Sequence, residues 1–324
     1  MKLQKSKHLI SALALLGATL GLQTHSLALE LNFGVIAVDT SNALRAAWEP
    51  VMNDWASCTG YTIKPYFATD YTGVIEGMRF NKVQLGWFGN LSAMEAVDRS
   101  GGEVFAKTIR MDGSEGYNSL LITHKDSPYN NLNDFLKHTK EISFGIGDPN
   151  STSGTLVPSY YVFAKNNINP KTDFKSIRSA NHATNLMAAA NKQVDVATNN
   201  TEDWERAEKS KPEIIKELKI IWKSPLIPAD PFVWRTDLTA EQKAKIKGCM
   251  TGYTSGPEAV EHKEKLAKVI SSGILPSSND QLKPIRQLTL FTEMSKIEND
   301  TTIDASEKQK KISAVKDKLA QLEK

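Results

Sequence analysis

The sequence predicts an α/β protein of two lobes around a ligand cleft, followed by a C-terminal helix. Short apolar β-like runs alternate with stretches of helical periodicity along the chain, which implies sheets layered with helices. The chain has 324 residues, more than a single domain of about 100 to 200 residues commonly holds. No tandem repeat, low-complexity block or Gly/Ser linker divides it, so the lobes are expected to share the chain through crossings.

The elements follow in order. Leu31, Phe33, Val35, Ile36 and Val38 form a first β-like run, and Leu44, Trp48, Val51, Met52 and Trp55 then recur at helical spacing. Tyr61 to Phe67 reads as a second strand, and Val83, Leu85 and Trp87 alternate as a third before a helix around Leu91, Met94 and Val97. Further strand-like runs lie at Leu120–Thr123, Ile142–Ile146, Val194–Thr198 and Leu218–Trp222, with a helix-like stretch from Gly154 to Lys165. Lobe changes are expected near Ile122–Asp126 and Pro228–Trp234. They assign 29–122 to the first lobe, 123–230 to the second, 231–290 to a return into the first, and 291–324 to a helical tail. In that tail Ile312, Val315, Leu319 and Leu322 give one apolar face, expected to dock on the first lobe or on a second subunit as a homodimer.

The N-terminus carries Lys2, Lys5 and Lys7, an uncharged run from Leu9 to Leu22, and the small residues Ser26 and Ala28. That order reads as a cleavable secretory signal over residues 1–28, too short in its apolar part for a spanning helix of roughly 20 residues. The mature chain is thus expected to be exported to the periplasm, and no cysteine near the cleavage region offers an acceptor for a lipid anchor. The formal charge of +3 comes from 40 basic and 37 acidic residues. Losing three lysines with the signal leaves it balanced, which removes the support for nucleic-acid binding. Cys58 and Cys249 are the two thiols. They pair in an oxidising compartment if the fold brings their Cα atoms within about 7 Å, and otherwise remain separate. Neither stands in metal-ligand spacing, and no cofactor is implied.

Binding chemistry concentrates in a few segments. In GDPNSTSGTLVPSYYVFAK, Gly147 to Lys165, the hydroxyls of Ser151, Thr152 and Ser153 stand where a helix-like stretch begins. Exposed N–H groups and the positive helix end favour an anion there, though the same residues serve equally as a helix cap. His182 in SANHATN can donate to the same oxyanion or lie in a solvated loop. Tyr71 and Tyr117, in ATDYTG and SEGYNSL, each offer a phenol or a half-buried ring. Glu202 in NNTED and Asp230 in IPADPFVW can receive an ammonium group, or merely stabilise a helix start and a turn.

Taken together these segments resemble the periplasmic phosphonate-binding proteins of ATP-driven importers of carbon–phosphorus compounds. The stretches ATDYTGVIEGMRFNKV, WFGNLSAMEAVDRS, GDPNSTSG, PSYYVFAKNNI, ANKQVDVATNNTE and IWKSPLIPADP carry the likeness, which runs from about Leu31 to Met294. The resemblance implies a fold of the periplasmic binding protein type II kind, which closes on its ligand like a flytrap, and an inner-membrane ABC permease as partner. It also implies a phosphonate pocket. Tyr117, Ser151, Thr152, Ser153 and His182 match positions around the oxygens, and Tyr71, Glu202 and Asp230 match positions around the amino end of 2-aminoethylphosphonate. The sequence departs from the pattern in the Asn169–Thr172 loop, at both cysteines and in the last helix.

Two other readings use the same residues. Phosphite, phosphate or another small oxyanion would need no carboxylates to receive a cation. Ser151, His182 and Asp230 also have the residue types of a nucleophile, base and orienting acid, but without the G-x-S-x-G elbow of a serine hydrolase.

Overall fold

The computed structural model describes residues 29–322; the expected signal segment 1–28 lies outside them. The first lobe opens with β1 (Glu30–Val35), α1 (Ser41–Thr59), β2 (Thr62–Phe67), α2 (Tyr71–Arg79), β3 (Leu85–Trp87), α3 (Asn90–Arg99) and β4 (Gly102–Ile109). A short strand, β5 (Gly116–Tyr117), leads out of it. The second lobe holds β6 (Ser119–His124), α4 (Leu132–Lys137), β7 (Ser143–Ile146), an irregular helical stretch from Thr152 to Asn166, β8 (Ser176–Ser179), α5 (His182–Ala190), β9 (Val196–Asn200), α6 (Thr201–Ser210), α7 (Pro212–Ile215) and β10 (Leu218–Lys223). The chain returns through β11 (Ile227–Pro228) to β12 (Pro231–Arg235), α8 (Ala240–Thr251), α9 (Ala259–Ala267) and β13 (Gly273–Pro276). It ends in α10 (Lys283–Glu298) and α11 (Ala305–Leu322).

Each lobe is built on its own mixed sheet, ordered β13-β4-β12-β3-β1-β2 in the first and β10-β6-β9-β7-β8 in the second. The first core forms because α1 turns one apolar stripe onto the sheet: Trp48 and Trp55 pack on Phe33, with ring centroids 5.4 and 5.5 Å away. In the second lobe, Leu120 and Ile122 of β6 face one helical layer while Leu121 between them faces the other. Alternation in a strand buried on both faces produces that split.

The lobes are joined where β5 pairs antiparallel with β11, Tyr117 opposite Ile227 and Gly116 opposite Pro228. A Cβ at Gly116 would lie 2.4 Å from the Ile227 carbonyl oxygen, so only glycine permits this close approach. The outward crossing therefore falls at Gly116–Tyr117, earlier than Ile122–Asp126. All of β6 belongs to the second sheet, where it pairs with β9 and β10, and a boundary at 122 would cut that strand. The return comes at Ile227–Pro228, and the expected boundary at 290 falls inside α10. Residues 291–324 hold the end of α10 and all of α11, which packs against α10. Val315, at the centre of the α11 apolar face, is 1% exposed.

Cys58 and Cys249 are disulfide-bonded with Cα atoms 5.9 Å apart, tying the end of α1 to α8 across 191 residues of sequence. No helix among the described residues is long and apolar enough to cross a membrane.

Candidate ligand-binding site

All eight candidate residues line one cavity between the lobes. Tyr71 begins α2 and comes from the first lobe. Ser151, Thr152, Ser153, His182 and Glu202 come from the second, while Tyr117 and Asp230 stand at or beside the β5–β11 link. The N-termini of α2, α3, α5, α6 and the Thr152 stretch converge here, because each follows a strand or turn that ends at the cleft. The positive ends of these helices face the space without a lysine, although several of their first N–H groups already have partners, Tyr71 with Asp148, Leu91 with Thr152 and Ala183 with the Val38 carbonyl.

The hydroxyls are set by their acceptor bonds. Ser151 Oγ caps its helix by accepting the Gly154 N–H (2.9 Å), Ser153 Oγ accepts from Asn200 Nδ2 (3.1 Å), and Thr152 Oγ1 accepts the Leu91 N–H (2.8 Å). Each oxygen accepts from the protein side, so its O–H proton can turn to the cavity or, at Ser151 and Ser153, to the nearby His182 Nε2. The helix starts with a wide π-type turn, Thr152–Leu156. Gly154 is required there, since a Cβ would lie 2.8 Å from Ser151 Oγ and 2.9 Å from the Gly147 Cα.

His182 Nε2 lies 3.3 Å from Ser151 Oγ and 3.4 Å from Ser153 Oγ. Burial pushes its pKa down to about 4, against the opposing pull of Asp203, so the ring is neutral at pH 7. Its Nδ1 is buried without a hydrogen-bond partner. No carboxylate orients the ring from that side, so the Ser–His–Asp arrangement of a hydrolase is not assembled. Asp230 instead stands by Tyr117 and Glu202.

The acids form the other end. Burial, then the neighbouring Glu202, holds Asp230 well above the usual carboxylate range, and its Oδ1 has no hydrogen-bond partner. Glu202 is pushed up to about 7, chiefly by burial and in spite of Arg110 and Arg206. Tyr117 faces these acids, which together with burial raise its phenol pKa. Tyr71, raised by burial and then by Asp230, reaches toward Ser151 as well and so stands between hydroxyls and acids, whereas Tyr117, expected around the oxygens, stands by the acids.

Hydrogen bonds between the lobes close over this space. Besides Leu91 N–H to Thr152, Tyr71 N–H donates to Asp148 Oδ2 (3.2 Å), Asn150 Nδ2 to Thr72 Oγ1 (2.9 Å) and Ala183 N–H to the Val38 carbonyl (3.3 Å).

The cavity also includes residues that sequence reading passed over: Trp87, Gly89, Asn200, Asp203 and Arg206. Asn200 and Asp203 belong to the NNTED turn already singled out, and Trp87 and Gly89 end a strand before a helix; the rule that found Glu202 applies to them equally. Arg206 is tied to Asp203 Oδ1 at 3.0 Å. Among the described residues, no group of three His, Cys, Asp or Glu could hold a metal.

The family described as the periplasmic substrate-binding protein of phosphonate ABC transporters matches residues 33–282. The chain is 50% identical over 293 residues to the phosphonates-binding periplasmic protein of Escherichia coli K12, covering 90% of this chain and 86% of that protein. Its fold is similar to the crystal structure of a binding protein component of an ABC phosphonate transporter from Pseudomonas aeruginosa. The TM-score is 0.89 and the identity 49%, over 91% of this chain and 97% of that one. PhnD1 of Prochlorococcus marinus, solved with methylphosphonate, shares the fold at a TM-score of 0.71 and 21% identity, over 80% of this chain and 96% of that one. The chain therefore belongs to the periplasmic phosphonate-binding proteins, the substrate-binding components of ABC transporters, which bind their substrates and are not enzymes.

Proposed function

We propose that the chain, exported by its N-terminal signal, captures 2-aminoethylphosphonate and related alkylphosphonates and presents them to an inner-membrane permease. The observation that carries this reading is the division of the cavity. On one side are three hydroxyls, helix N-termini and a neutral histidine; on the other are two buried acids, one with an unpartnered oxygen. A phosphonate suits the first side, because charge-assisted hydrogen bonds contribute roughly 1.5 to 3 kcal/mol each and several donors replace lost water. An ammonium suits the second, offsetting the burial that holds Glu202 and Asp230 up and the Glu202 charge that adds to it at Asp230. Tyr71 flanks the short carbon link between them.

The raised acids also favour one other reading: protonated, they would donate to a bare oxyanion such as phosphite or phosphate. Calorimetric titration of ligand-stripped mature protein with 2-aminoethylphosphonate, methylphosphonate, phosphite and phosphate decides between them. The expected order places 2-aminoethylphosphonate first, by at least about tenfold over methylphosphonate, or about 1.4 kcal/mol. Glu202→Gln should remove that advantage and leave methylphosphonate unchanged. Tighter binding of phosphite or phosphate would sink the assignment of the acids to an ammonium.

A further inference from the structure

Arg110 follows the last residue of β4 and is 3% exposed, yet it does not line the cavity. Its backbone is fixed in the first lobe: its N–H donates to the Ser114 carbonyl (3.0 Å), and its carbonyl accepts from Gly113 N–H (3.0 Å) and Ser272 Oγ (2.6 Å). Its guanidinium points the other way, into α6 of the second lobe. Nη2 pairs with Glu205, and Nη1 lies 3.7 Å from Glu202 Oε1. That Nη1 is buried and makes no hydrogen bond, so a small turn of Glu202 would engage it.

We propose that Arg110 is a positioning residue for the ligand's amino end, reaching from the first lobe to the back of Glu202 and holding that carboxylate as the charged acceptor once the lobes close.

The groups around Glu202 come from every element packed on it: Arg110 from the end of β4, Asp203, Glu205 and Arg206 on α6, Tyr117 on β5 and Asp230 before β12. Arg206, bound to Asp203, also acts downward on Glu202 but less than Arg110, whose Nε faces Asp112 at 3.9 Å. After burial, Arg110 is the strongest influence on Glu202, and it acts downward. Without it a buried glutamate among three acids would keep its proton at neutral pH and lose its attraction for an ammonium.

The effect on selectivity rests on the aminoethylphosphonate reading; the hold of Arg110 on Glu202 does not. Both are read on full mature protein. Side-chain carboxyl NMR of 13C-glutamate-labelled protein, with Glu202→Gln to identify the signal, follows the Glu202 titration. Calorimetry between about pH 6 and 9 compares 2-aminoethylphosphonate with methylphosphonate. Arg110→Gln is expected to raise the Glu202 midpoint by about one pH unit or more. It should also cut the preference for 2-aminoethylphosphonate about tenfold at pH 7, with recovery as pH rises and methylphosphonate unaffected. Arg110→Lys should restore most of both. Should Arg110→Gln fail to fold, Glu205→Gln serves: freeing Arg110 should lower the Glu202 midpoint. A midpoint unmoved by either variant overturns the proposal, as does an equal loss for both ligands at every pH, or tighter 2-aminoethylphosphonate binding in Arg110→Gln. A shifted midpoint in a protein that never prefers 2-aminoethylphosphonate would instead overturn the ligand reading and leave the Arg110–Glu202 link standing.

Discussion

Under the proposed function Ser151, Thr152 and Ser153 would bring no charge to the anion, and with their oxygens already accepting from the protein they would serve it as O–H donors. Ser151→Ala removes both an O–H donor and a helix cap, and should weaken all phosphonates by about 10- to 100-fold by calorimetry. Glu202→Gln, in contrast, should affect the aminated ligand alone. His182 makes a second prediction. The folded ring stays neutral down to about pH 4, whereas the unfolded chain takes that proton near pH 6.5. Acid therefore favours the unfolded chain across this window, and the stability concerned is complete above about pH 6.5 and lost toward pH 4. Glu202 works in the opposite direction, since its folded form gains a proton near 7 and its unfolded form only near 4.3. Thermal melts of His182→Asn at pH 4.5 and 7 should show a smaller acid loss than wild type; an equal loss would refute the assignment. That the eight candidates converge on one cavity was legible because hydroxyls, phenols and acids beside turns announce themselves by type and context. Arg110 was not, because Glu202 and Glu205 lie more than ninety positions further along and nothing local marks the contact.

At the scale of elements, the disulfide closes a loop of 191 residues around α1 and α8. Its loss, in Cys58→Ser with Cys249→Ser, should cost roughly 2 to 5 kcal/mol and lower the melting temperature by several degrees. Both cysteines lie in the first lobe, away from the cavity, so affinity should stay within about twofold of wild type; a large loss of affinity would show that the bond shapes the cleft. The pairing could not be read from the sequence because it depends on how α8 returns after the excursion through the second lobe. Long elements were legible for the usual physical reason: Leu44, Trp48, Val51, Met52 and Trp55 repeat often enough to define a helical face. β5 and β11, two residues each, are too short to carry a period, and so the outward crossing was misplaced by a few residues into the apolar run of β6.

For the whole molecule, the hydrogen bonds across the cleft, the Arg110–Glu205 pair among them, describe lobes that have come together, and two of them, from Tyr71 and to Thr152, involve cavity residues themselves. Ligand should therefore make the protein more compact in small-angle X-ray scattering. Removing Asn150 Nδ2 and Thr72 Oγ1 together (Asn150→Ala, Thr72→Val) should loosen the closed form and weaken binding a few-fold; an unchanged scattering radius on ligand addition would refute closure. The division into two lobes was legible from length and alternation, whereas the closed contact between them was not, since it joins segments such as Thr72 and Asn150 only in three dimensions. The β5–β11 link adds a consequence in time. Tyr117 is part of that pair and Asp230 lies two residues beyond it, at the link between the lobes, so under the proposed closure their mutual arrangement should hardly change as the cleft opens. An arriving ligand would then meet these two in their final places. The groups expected to swing into position afterwards, Tyr71 on one side and the Ser151–Ser153 hydroxyls on the other, would govern how long it stays.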